Sequence, residues 1–250
     1  MLSSFASGTL FGERHGSAPL RVLALHGWGR THDDFGRALG LAGVDAIALD
    51  LPGFGATPRP DRAFTSKDYA QVIAPVLDET TEPVVLVGHS HGGRVAVCLA
   101  ALMPNRVRGI VLIGAPVLRR QATTKPTLRY RVRRLARRLH LVSDASMEKA
   151  RQRYGSSDYA AADGVMRETL VAVVNESFEE ELAALTCPVT FLWGAEDSDV
   201  PLEVARRAKS LVDSRNQNAH STVITLEGVG HLVPTRDPQA VADAIVEMLS

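Results

Sequence analysis

Six short apolar runs, separated by helix-like patterns, constrain the fold of this chain more than any other feature. They are Val22–Leu25, Ala46–Leu49, Val84–Val87, Ile110–Ile113, Val189–Trp193 and Thr222–Leu226. Each is apolar at successive positions, so a strand formed there needs cover on both faces, as in a parallel sheet. Helical spacing fills the intervals. Thr65 with Asp68 three residues on resembles a capping box, Asp standing in for Glu. Tyr69, Val72, Ile73, Val76 and Leu77 then recur on one helical face, and Pro75 among them predicts a kink or break. Pro201 opens a helix carrying Val204, Ala208 and Leu211. Val241, Ile245 and Leu249 mark the last helix. The predicted fold class is α/β, a doubly wound and mostly parallel sheet with helices on both faces.

The alternation lapses between Val117 and about Leu185. No strand pattern occurs there, and two stripes predict helices: Leu128, Val132, Leu135 and Leu139, then Tyr159, Val165, Met166, Leu170 and Val173. We expect a helical insertion of two or three helices between two core strands.

At 250 residues the chain is long enough to bury a large core without disulfide or metal staples. Cys98 and Cys187 each border an apolar segment and are expected to be buried free thiols. Formal net charge is zero, which gives no whole-chain attraction to nucleic acid or membranes. No run of about 18 apolar residues predicts a membrane span. Met1 to His15 lacks a basic start and a long apolar centre, so no signal peptide is expected and the cytoplasm is the default compartment. No Cys/His cluster has metal-ligand spacing, and neither metal nor cofactor is expected.

The chemistry centres on Gly88-His89-Ser90-His91-Gly92, a G-x-S-x-G placed after the Val84–Val87 strand and before a helix. A strand turning sharply into a helix at Ser90 needs small residues at Gly88 and Gly92, and it lifts the serine oxygen above the sheet. A serine alcohol is a poor nucleophile at neutral pH and needs a base within hydrogen-bond reach. His231, in Gly228-Val229-Gly230-His231, follows a strand at the edge where open α/β sheets place ligands. Asp197, in Trp193-Gly194-Ala195-Glu196-Asp197, would orient that base. Glu196 and Asp199 are its competitors. The order Ser90, Asp197, His231 matches the nucleophile–acid–base order of this strand–turn–helix arrangement. Backbone N–H groups of Trp28 and His91 are the expected oxyanion donors. We read His26 as structural, and His89 and His91 side chains as pocket wall or packing.

These motifs, with His26-Gly27-Trp28-Gly29 and Asp50-Leu51-Pro52-Gly53-Phe54-Gly55, resemble the α/β-hydrolase superfamily over nearly the whole length. The resemblance implies a helical cap inserted after the sixth core strand. Residues 1–116 and 186–250 would form the core and 117–185 the cap. It also implies that Asp50 to Gly55 forms a tight loop near the site and is not catalytic. Members with this pattern include esterases, lipases, thioesterases, carbon–carbon bond hydrolases, prolyl iminopeptidases and cofactor-free haloperoxidases. Epoxide hydrolases and haloalkane dehalogenases usually carry Asp at the nucleophile position, which Ser90 argues against. His89 and His91 depart from the Gly-Gly-Ser-Trp-Gly of the peptidases.

Residues 119–153 hold twelve Lys or Arg against Asp144 and Glu148, 12 − 2 = +10. This segment reads as a solvated cap helix, as an attractor of anionic substrates, or as a contact for membrane or nucleic acid. The functional reading is a carboxylic ester or thioester hydrolase acting on a small molecule, which the basic segment allows to be anionic. No nucleic-acid partner is expected. The alternatives are a carbon–carbon bond hydrolase of the meta-cleavage type and a non-catalytic ligand-binding protein on the same fold.

Overall fold

The computed structural model describes residues 1–17, 19–119, 157–215 and 220–250. The stripe Leu128, Val132, Leu135 and Leu139, and nearly all of the basic segment 119–153, lie outside them.

Eight strands form one sheet: β1 (Leu2–Phe5), β2 (Leu10–His15), β3 (Val22–Leu25), β4 (Ala46–Asp50), β5 (Val84–His89), β6 (Val107–Ile113), β7 (Val189–Gly194) and β8 (Ser221–Leu226). The spatial order is β1-β2-β4-β3-β5-β6-β7-β8. From β4 to β8 all neighbours are parallel, while β1 and β2 add an antiparallel edge. The six runs read from the sequence all lie within strands, but Thr222–Leu226, read as buried, is in β8 at the sheet edge and is only half-covered, because it has a neighbouring strand on one side alone. The edge hairpin was not foreseen, because β2 mixes Leu10 with Glu13, Arg14 and His15 and is only half covered.

The helices are α1 (Asp33–Ala42), α2 (Ser66–Ile73), α3 (His91–Leu102), α4 (Ser157–Ala161), α5 (Gly164–Val173), α6 (Glu179–Ala184), α7 (Leu202–Arg215), α8 (Val233–Arg236) and α9 (Pro238–Leu249). Alternation along the strands divides them between two layers. Val22 and Ala24 of β3, with Val85 and Val87 of β5, pack against Phe35 and Leu39 of α1 and Val241 and Ile245 of α9. Leu23, Leu25 and Leu86 point the other way, toward Tyr69 and Ile73 of α2, Val95 and Leu99 of α3, and Val204 and Ala208 of α7. The two faces bury side chains on both sides of the sheet, as the unbroken apolar runs require.

Local signals act as expected. Thr65 and Asp68 form a reciprocal capping box at α2. The helix ends at Ile73, and Pro75 sits in the 3-10 turn Ala74–Glu79 that follows. Cys98 and Cys187 are buried and free. Between β6 and β7, the described residues hold α4, α5 and α6 and no strand. The second predicted stripe is split there, with Tyr159 on α4 and Met166, Leu170 and Val173 on α5. Among the described residues no helix is long and apolar enough to cross a membrane.

Candidate active site

The carboxyl ends of β3, β5, β6, β7 and β8 open onto a cavity of about 870 Å³. Among its lining residues are Gly27, Trp28, Ser90, His91, Asp199 and His231. This is the edge where parallel α/β sheets place their ligands, because strand ends and helix N-termini meet there.

Ser90 links β5 directly to α3. Its backbone lies at φ 50° and ψ −111°, a left-handed position for a residue with a Cβ. Such a conformation costs about 1–3 kcal/mol and persists only where surroundings hold it. They do so here: Ser90 N–H donates to Ile113 O at 2.8 Å, and Gly93 N–H donates to Ser90 O at 3.1 Å. Gly92 lets the elbow close, since a Cβ there would overlap the Leu25 carbonyl oxygen and lie 2.6 Å from that of His26. Among the described residues the Ser90 hydroxyl has no hydrogen-bond partner.

His231 and Asp197 meet. His231 Nδ1 lies 2.8 Å from Asp197 Oδ2. The other carboxylate oxygen, Oδ1, accepts from Asp199 N–H at 2.9 Å and Val200 N–H at 2.8 Å. The Asp197 side chain is almost wholly buried and the His231 side chain largely so. The two loops that carry them are tied by backbone: Ala195 N–H donates to Leu226 O at 2.9 Å and Glu196 N–H to Val229 O at 3.0 Å. Glu196 and Asp199 are exposed, and Asp199 contributes its backbone N–H to Asp197. Of the three acids in this loop, Asp197 alone hydrogen-bonds the histidine.

His91 is the first residue of α3, so its N–H has no acceptor within the helix. Trp28 lies on the loop after β3, and its ring packs edge-on to Phe54 at 4.9 Å and His91 at 5.5 Å. Neither backbone N–H has a hydrogen-bond partner among the described residues.

The three neighbouring histidines are buried and neutral for identifiable reasons. His26 Nε2 accepts from Leu51 N–H at 2.9 Å, which leaves the proton on Nδ1 to donate to Gly27 O at 2.7 Å. Burial lowers its pKa to about 4. His89 Nε2 donates to His231 O at 2.9 Å and so holds the histidine loop. Burial, then repulsion from His231, lowers the His89 pKa to about 4. The His91 ring stacks edge-on to Tyr69 at 4.8 Å, and neither of its nitrogens has a partner among the described residues. Burial holds its pKa well below the usual range. Asp50 accepts from His32 N–H and Nδ1 and from Ala56 N–H, each at 2.8 Å, which makes it the anchor of the loop to Gly55.

Asp197, Asp199 and His231 bring potential ligand atoms within 4.8 Å of one another. A cation there would have to displace two N–H groups and the imidazole from Asp197, so the donor set favours the hydrogen-bonded pair over a metal. Two features of the site carry no obvious sequence signal. Gly114, at φ 52°, lies so close beneath the pair that a Cβ would stand 3.1 Å from both Asp197 Oδ2 and His231 Nδ1. Arg94, on α3, is buried and lines the cavity.

The model of the alpha/beta hydrolase family matches residues 22–244. The chain is 29% identical over 261 residues to a lipase, LipV, of Mycobacterium tuberculosis, covering 93% of this chain and 95% of that protein. It is 28% identical over 216 residues to 2-hydroxy-6-oxo-2,4-heptadienoate hydrolase of Pseudomonas putida, covering 80% of this chain and 76% of that one. An esterase structure from Exiguobacterium antarcticum superposes with a TM-score of 0.72 at 20% identity, covering 100% of this chain and 99% of that one, which is a likeness of fold.

Proposed function

The chain belongs to the alpha/beta hydrolase family, and from that premise we propose that it is a serine hydrolase cleaving a carboxylic ester or thioester of a small molecule. The observation that carries this reading is the 2.8 Å contact of His231 Nδ1 with buried Asp197, on the same cavity as the strained Ser90. In this reading Asp197 keeps the proton on His231 Nδ1 and leaves Nε2 free to accept. Ser90 Oγ attacks the carbonyl carbon as His231 Nε2 takes its proton. The carbonyl oxygen becomes an oxyanion between the N–H groups of Trp28 and His91, each worth roughly 3 kcal/mol to the transition state. His231 then returns the proton to the leaving oxygen or sulfur. Water repeats the sequence on the acyl-enzyme and releases the acid. The contact between Ser90 and His231 need not be tight before substrate arrives. The described helices of the 117–185 insertion, α4 and α5, line the cavity through Asp158, Leu170 and Val173, which supports reading that insertion as the cap.

The likeness to the Pseudomonas hydrolase favours a second reading, carbon–carbon cleavage of a vinylogous diketone by the same three residues. Hydrolysis of p-nitrophenyl esters of graded acyl length, with Ser90→Ala as control, separates the two. Turnover that vanishes in the variant supports the esterase. An enzyme inert on every ester but active on a dienoate ketone supports the second.

A further inference from the structure

Arg94 presents a buried guanidinium to the cavity and forms no ion pair with a carboxylate among the described residues. It lies four residues after Ser90 on α3, about one helical turn and roughly 6 Å along the axis. The residue is 8% exposed. Its Nε donates to Pro116 O at 3.1 Å and its Nη1 to Val173 O at 2.8 Å. Both acceptors are neutral, and Nη2 has no partner among the described residues. Glu176 lines the same cavity and its charge favours the charged form of Arg94, while its carboxylate oxygens accept from Ser66 N–H at 3.0 Å and from Ser66 Oγ at 2.5 Å. Burial lowers the Arg94 pKa to about 10 and the Glu176 charge offsets this in part. A guanidinium whose direct hydrogen-bond partners are neutral carbonyls is costly to bury, so an anion that arrives with the ligand would relieve it.

The other charged groups of the cavity are accounted for, and they give it polarity. Arg30 is paired with Asp34, and Arg119 donates to Asn175 O. Asp158 and Asp199 sit by His231, and burial and then the Asp199 charge raise the pKa of Asp158. In the proposed mechanism the leaving group lies against His231, beside these acids, where an anion is repelled. The acyl chain is then left the part of the cavity lined by Pro116, Val173, Glu176 and Arg94.

We propose that Arg94 binds a second carboxylate at the far end of the acyl group, so that the preferred substrates are half-esters of dicarboxylic acids. This rests on the serine hydrolase reading of the same cavity.

The test compares methyl half-esters of straight-chain dicarboxylic acids with methyl esters of monocarboxylic acids of equal chain length. At the best length the half-ester is expected to show a kcat/KM roughly 10- to 100-fold higher, the worth of one hydrogen bond to a charged group. The ratio should fall toward one in Arg94→Met, whatever the absolute rates. Equal rates at every length, or a ratio untouched by the substitution, would overturn the proposal. Arg94 also holds two backbone carbonyls, so the variant can fail to fold. In that case free dicarboxylates should inhibit neutral-ester turnover by the wild type roughly tenfold better than length-matched monocarboxylates, and equal inhibition would overturn the proposal. Calorimetric binding of the half-ester to Ser90→Ala separates the two levels. Preference for the half-ester there upholds Arg94 even if Ser90 proves not to be the nucleophile, and absence of preference sinks Arg94 even if Ser90 does.

Discussion

Around Ser90 the strand ends are locked to one another by main chain. The helices Ser157–Ala161 and Gly164–Val173 instead meet the cavity through the side chains of Asp158, Leu170 and Val173, and Leu170 and Val173 pack in a small cluster with Tyr159 and Ala162. On the strand side, a left-handed Ser90, a glycine against Leu25 O and backbone bonds between the Asp197 and His231 loops leave little room for substitution. On the helix side the described contacts are made largely by side chains, such as Met166 against Gly53 and Thr169 Oγ1 accepting from Phe64 N–H. The difference teaches a division of labour. Chemistry needs reacting groups held to fractions of an ångström, which backbone contacts provide. Selectivity needs a wall that tolerates change, which a small side-chain cluster provides.

The largest effect tests the chemical side. Ser90→Ala should lower kcat/KM on the best ester by roughly 10⁵- to 10⁶-fold, with the fold retained by circular dichroism, because a partly exposed oxygen contributes little packing. Residual activity within tenfold of wild type would remove Ser90 as nucleophile. Asp197→Asn should cost about 10⁴-fold in kcat, since the amide favours the wrong imidazole tautomer. Asp199→Asn should cost less than about tenfold, because only its backbone N–H touches the acid. A reversal of those two would move the acid to Asp199.

Smaller effects set one wall against the other. Gly92→Ala should destabilise the protein by roughly 3 kcal/mol in urea unfolding, or prevent folding, because the new methyl would strike backbone that cannot retreat. Leu170→Ala should cost only about 2 kcal/mol, the low end for a buried leucine, because its cluster is small and can collapse. It should nonetheless shift the preferred acyl length. If the two substitutions cost the same, or Leu170→Ala left the acyl profile untouched, the division would not hold.

The strand side should also show in acid. His26 and His89 have folded pKa values near 4, below the 6.5 of an unfolded imidazole. The unfolded chain therefore takes up protons first as pH falls. Their contribution to stability is complete above pH 6.5 and is lost as pH drops from there through 4. Unfolding free energy should fall by roughly 2 kcal/mol between pH 6.5 and 5.5 for the pair. His89→Asn should remove about half of that slope, and an unchanged slope would mean that His89 titrates normally in the folded protein.

Much of this architecture was legible in advance because its signals are local. Five of the six apolar runs are covered on both faces as read, the sixth lies in the half-exposed edge strand β8, and the Thr65–Asp68 box and Pro75 acted within one turn of themselves. The hairpin of β1 and β2 escaped because an edge strand half exposed to water has no apolar run to betray it. Gly88 to Gly92 between a strand and a helix announced an elbow, and the order of Ser90, Asp197 and His231 suggested partners for it.

The sequence by itself determined the alternation of elements, the position of the elbow and a short list of acids and bases, because each depends on residues adjacent in the chain. Tertiary structure alone decided which acid faces His231, that Gly114 must clear space beneath that pair, and that Arg94 hydrogen-bonds two neutral carbonyls while Glu176 turns to Ser66. Those outcomes depend on distances between residues 34 to 117 and more positions apart, such as Asp197 to His231 or Gly114 to His231. Only the packing of helices on both faces of the sheet sets such distances.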